Sequence, residues 1–111
     1  MVRFMVMHKA TEQAEAGAEP HDGTGRLIDE MVRAGVLLAA EDLLPSSAGA
    51  RVSVSGGTRT VTGGPFTGTK ELVSGFALIE VRSREEAVEW AARLAEAVGD
   101  VELRQVAEPP A

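Results

Sequence analysis

The sequence predicts an α+β domain: an antiparallel sheet with two helices on one face. Three observations predict it. Two segments with apolar residues at helical spacing, 24–34 and 84–97, each lie between strand-like runs. A glycine pair, Gly56-Gly57, joins two alternating runs and marks a hairpin in mid-chain. The order that results is β-α-β, hairpin, β-α-β.

Residues 2–8 read as the first strand, with Val2, Phe4, Val6 and His8 on one face and Met5 and Met7 on the other. Residues 10–25, rich in Ala, Glu and Gly, read as a mobile loop. The helix over 24–34 presents Leu27, Ile28, Met31 and Val32, and Gly35 suits its C-terminal cap. Val36 to Ala40 is a compact apolar strand closed by Glu41-Asp42, and Pro45-Ser46-Ser47 is a turn. Val52 and Val54 alternate with Arg51, Ser53 and Ser55 before the glycine pair, and the β-prone run 58–62 returns. Phe76 to Val81 is the strongest strand. Ser83-Arg84-Glu85-Glu86 forms a capping box, because the hydroxyl and the carboxylate can each accept from a free N–H at the helix start. The helix that follows carries Ala87, Val88, Trp90, Ala91, Leu94 and Val98 at helical spacing and ends at Gly99, which places Trp90 in the core. Val101, Leu103 and Gln105 alternate in a last strand. Together these elements define a ferredoxin-like sheet with an inserted β-hairpin.

Two helices cover one face of such a sheet, yet the strands at 2–8, 36–40 and 76–81 are apolar on both faces. A second copy laid face to face would cover the other side, giving a two-fold homodimer. A loop folded across that face of a monomer is the alternative.

The 111 residues fit one domain, here 1–107, with 108–111 as a frayed tail. The apolar runs are shorter than a bilayer span requires, so no membrane role is expected. The opening run 1–8 looks like a signal peptide but lacks a cleavage site and reads as a strand. Absence of cysteine removes disulfide and thiol chemistry and fits the cytoplasm. A formal net charge of −6 with scattered basic residues argues against nucleic acid as a partner.

The most distinctive segment is Gly64-Pro65-Phe66-Thr67-Gly68-Thr69-Lys70-Glu71, followed by Ser74-Gly75-Phe76. With Ala34 to Leu43, Pro45-Ser46-Ser47, Ser83 to Leu94 and Val101 to Val106, it resembles the YCII-related proteins of the DGPF group along nearly the whole chain. The resemblance implies a dimeric α+β barrel and no established reaction. In the wider superfamily a His-Asp pair has been suggested as catalytic, and some relatives are linked to sigma factors. The chain departs from the pattern at Gly64 and Gly68, where acidic residues are expected, and at His8, where an apolar residue is usual. The loop after the second helix is reduced to Ala95 through Gly99.

His8 is a candidate base, since an imidazole titrates near neutrality, or else a strand-end residue at the sheet edge. His21 beside Asp22 is more simply a loop residue. Glu41 could line a cleft or end its strand in solvent. Lys70 and Glu71 could bind and orient an anionic ligand, or close the loop as an ion pair. Phe66 is a packing anchor or a stacking platform. The residues show neither a metal-binding set nor a phosphate cradle, and no cofactor is expected. The reading that follows is a small homodimer binding a small ligand through Glu41, Phe66, Lys70 and Glu71. One alternative is a cofactor-free enzyme using His8 or Glu41 as acid or base. Another, from family linkage alone, is an accessory of sigma-factor transcription.

Overall fold

The computed structural model describes residues 1–11, 24–66 and 72–109. Most of the loop expected over 10–25, His21, and the 67–71 segment with Gly68, Lys70 and Glu71 lie outside the described residues. The elements are β1 (Val2–Ala10), α1 (Thr24–Arg33), β2 (Leu37–Asp42), a short 3-10 turn (Ser46–Ala48), β3 (Ala50–Ser55), β4 (Thr58–Gly63), β5 (Leu72–Val81), α2 (Arg84–Val98) and β6 (Val101–Gln105).

Four strands form an antiparallel sheet in the order β2-β5-β1-β6, and β3 pairs with β4 in a separate two-stranded sheet. This is the expected α+β fold with its ferredoxin-like topology and inserted hairpin. Both helices pack on one face of the sheet, and the molecule is only 18 Å across its thinnest dimension, as two layers require.

The core lies between those layers. Phe4 and Val6 of β1 and Ala77, Ile79 and Val81 of β5 meet Leu27 and Met31 of α1 and Ala87, Ala91 and Leu94 of α2, all buried. Spacings of three and four bring the helical residues onto one stripe, and alternation brings the strand residues onto one face. Trp90, expected in the core, is half-buried: it packs against the cluster while the Arg93 guanidinium lies 5.2 Å from its ring centre. Val88, expected on the stripe, is exposed.

The helix ends follow the residues placed there. Gly35 takes φ +73°, so its N–H reaches the Val32 carbonyl and the N–H of Val36 reaches that of Met31. At α2, Ser83 Oγ accepts from the Glu86 N–H at 3.2 Å, and the Glu86 carboxylate accepts from the Arg82 N–H at 3.0 Å. The second bond reaches one residue further back than a capping box predicts. An Arg93–Glu30 ion pair ties the helices together.

Several strands run longer than their sequence patterns. β2 continues through Glu41 and Asp42 because these pair with Phe76 and Gly75. β5 begins at Leu72 and β1 ends at Ala10 because those residues pair with each other beyond a bulge. His8 therefore lies within β1, between β5 and β6, instead of at the sheet's edge.

Candidate functional site

The β2–β5–β1 rung at Gly75 assembles the site's polar groups. Gly75 is the register partner of both His8 and Asp42. Paired residues in an antiparallel sheet share a face, so His8 and Asp42 sit on the helix side, across one glycine. A side chain at Gly75 would place its Cβ 3.1 Å from His8 Nδ1 and 3.2 Å from Asp42 Oδ1. The missing Cβ is what lets an imidazole and a carboxylate approach the same point. His8 is buried, and its carbonyl accepts from Ser74 Oγ at 3.4 Å.

Asp42 also forms part of a pocket of about 530 Å³ next to that rung. Its wall comes from the segment leaving β2 (Leu43, Leu44), the 3-10 turn, the base of β3 (Arg51), Phe66, and Leu72 at the start of β5. The Arg51 guanidinium lies 4.2 Å from the Phe66 ring centre, within cation–π range. Phe66 is held from below, its N–H donating to Ser46 Oγ at 2.9 Å.

Gly64 sets that wall. Its N–H donates to the Gly49 carbonyl at 3.0 Å, and a Cβ on it would fall 1.7 Å from the Ser46 carbonyl oxygen. The residue where an acid is expected is thus pressed onto the turn that supports Phe66, and only glycine fits this backbone. The Gly64–Pro65 peptide is cis.

Of the residues singled out in the sequence, Phe66 lines the pocket and His8 lies on the adjoining rung. Glu41 pairs with Phe76 and is exposed on the opposite face, which neither described helix covers, so Glu41 and His8 stand on opposite sides of the sheet. Lys70 and Glu71 lie outside the described residues; the segment carrying them joins Phe66 to Leu72, both of which line the pocket. Sequence reasoning missed Asp42 and Arg51. Asp42 had a legible signal, since it stands two residues after Ala40 and so shares its face. Arg51 had none, because its place depends on how the hairpin base meets Phe66.

The fold defines an α+β protein with a lateral pocket and a buried imidazole beside a carboxylate. The chain matches the YCII-related domain over residues 2–109 and belongs to that family. It is also similar to an uncharacterised protein of Rhizobium meliloti (strain 1021), 39% identical over a 79-residue alignment that covers 68% of this chain. The matched stretch spans 64% of that relative's length. No helix among the described residues is long and apolar enough to cross a membrane.

Proposed function

We propose that the protein is a two-fold homodimer that binds a small organic acid in the pocket between the hairpin base and the sheet. The observation that carries this reading is the pocket itself. Its volume falls within the ~300–1,000 Å³ of small-molecule sites, and its wall is mostly apolar with a few polar groups converging on it. Phe66 offers a flat apolar surface, Arg51 a cation above it, and Asp42 a carboxylate in the same wall. Lys70 and Glu71 remain part of the proposed ligand set, as the anion-binding and orienting groups. The homodimer is supported by the helix-free sheet face, where Met5, Met7, Phe76 and Leu78 are only half-buried in one chain.

A second reading is favoured by the rung at Gly75. There His8 acts as acid or base on the bound molecule, with Asp42 orienting the imidazole. Glu41, on the other face, has no part in this version.

One experiment tests both. A panel of small carboxylic acids and lactones is added to the 15N-labelled protein, and amide shifts and turnover are followed. Binders should perturb Asp42, Arg51 and Phe66, and Phe66→Ala should weaken them by about tenfold. Shifts that avoid those residues would sink the pocket reading. Any turnover should fall by about a hundredfold or more in His8→Gln while binding persists. Turnover unchanged in that variant would remove the catalytic version alone.

A further inference from the structure

The β3–β4 hairpin has two faces of opposite character. Register places Ala50, Val52, Val54, Arg59, Val61 and Gly63 on one face and Arg51, Ser53, Ser55, Thr58, Thr60 and Thr62 on the other. The second face is wholly polar and suited to water. The first is not, yet Val52, Val54 and Val61 are 62%, 72% and 62% exposed, and among the described residues the hairpin pairs with no strand of the main sheet. An isolated two-stranded ribbon is marginal in water without a surface to rest on.

The main sheet has a matching surface. On its helix-free face, Met5 pairs with Leu78 and Met7 with Phe76, forming a four-residue apolar patch. The rung through Met7 and Phe76 ends in a carboxylate on each side. Glu102, beyond Met7, is neutralised by Lys9 at 3.7 Å and Arg104 at 3.4 Å. Glu41, beyond Phe76 on the same rung, enters no ion pair among the described residues. The valine face of the hairpin carries Arg59, which likewise enters none. Strands β3 and β4 contain two arginines and no acidic residue, in a chain of net charge −6. Polarity and charge therefore correspond between two surfaces of the same molecule.

We propose that the β3–β4 hairpin is a docking arm whose valine face rests on the helix-free sheet face of a second copy of this chain, with Arg59 meeting the partner's carboxylate at position 41. The arm rests on the two-fold pairing proposed above and extends it. The Met5, Met7 and Leu78 part of the patch meets the partner's sheet at the centre of the interface, and each exchanged arm lies on its β2 flank, from Phe76 out to Glu41. Two-fold symmetry makes the contact reciprocal, so each arm meets the other copy's sheet. Because β3 begins at the pocket wall, arm docking also fixes Arg51 over Phe66.

The full-length chain tests this by sedimentation velocity over a concentration series. The wild type should be dimeric. Val52→Thr, Val54→Thr and Val61→Thr combined keep β propensity while removing apolar contact. They should raise the dimer dissociation constant by at least about tenfold, with an unchanged far-UV circular dichroism spectrum showing that the fold persists. Arg59→Glu and Glu41→Arg should each weaken self-association, since each sets like charges together twice per dimer. Mixing these two variants should recover heterodimers of wild-type strength, because both arm contacts then join opposite charges. A valine variant as dimeric as the wild type overturns the arm and leaves the sheet-to-sheet dimer standing. Failure of the mixture to recover heterodimers also overturns the arm. A wild type that stays monomeric at every concentration overturns both the arm and the two-fold pairing.

Discussion

Two glycines decide more of this site than any charged side chain, and they do so by what they lack. At Gly75 the absent Cβ lets His8 Nδ1 and Asp42 Oδ1 approach a common point. At Gly64 the absent Cβ lets the end of β4 lie on the Ser46 carbonyl. Gly64→Ala must move one of these two backbones, because a Cβ–O distance of 1.7 Å admits no accommodation by side-chain rotation. It should lower stability by about 1–3 kcal/mol in urea unfolding and weaken ligands held against Phe66. An unfolding midpoint and ligand affinity both equal to the wild type would show that the turn does not depend on this contact. The same overlap changes the meaning of the departure from the family pattern. An aspartate at Gly64 would have to arrive with a different path for the chain.

At the scale of elements, helices and hairpin were legible because their signals are local. Spacing of three and four residues marks a buried stripe, a serine three residues before a glutamate marks a helix start, and Gly56-Gly57 takes positive φ at both turn positions. Ser83→Ala should destabilise the fold by about 1 kcal/mol, read as a fall in thermal midpoint, by leaving the Glu86 N–H without its acceptor. A midpoint unmoved by that change would mean that the first turn is held by packing instead. The pocket was less legible because it is not local. It needs the segment after β2, the hairpin base and the start of β5 to converge, and no periodicity reports that. The lengths of β1, β2 and β5 were hidden for a related reason: Glu41, Asp42, Lys9 and Ala10 are strand residues only through their partners across the sheet. His8 was read onto the correct face by parity. Its burial within the sheet depends on β6, which parity cannot reveal.

At the scale of the molecule, the first and last described segments are tied together. The Val106 N–H donates to the Arg3 carbonyl at 2.9 Å, and the Arg3 guanidinium holds the Glu108 carboxylate through bonds of 2.8 and 2.9 Å. Those hydrogen bonds, more than the charge attraction, hold the Glu108 carboxyl below its ordinary titration range. A carboxyl whose pKa is lowered on folding adds stability above its unfolded pKa and loses it as the pH falls through the lowered value. Glu108 should therefore titrate below the ordinary glutamate range, and segment 106–109 should detach in acid while the core stays folded. Both are measurable by 13C-carboxyl and amide NMR. The pair is solvent-exposed, so salt should also weaken it. A Glu108 that titrates like a free glutamate would show that the tie does not persist in solution.

The strand order β2-β5-β1-β6 also governs the sequence of events by which the chain acquires its shape. β1 precedes its partners in the chain but occupies an interior position, and its two neighbours are the fifth and sixth strands. More than sixty residues must leave the ribosome before β5 can join it, and about ninety before β6 can. Until then the run from Val2 to Ala10 is an apolar ribbon with both edges open. The nascent protein is therefore most exposed to aggregation early, and dependence on chaperones should be concentrated before β5 emerges.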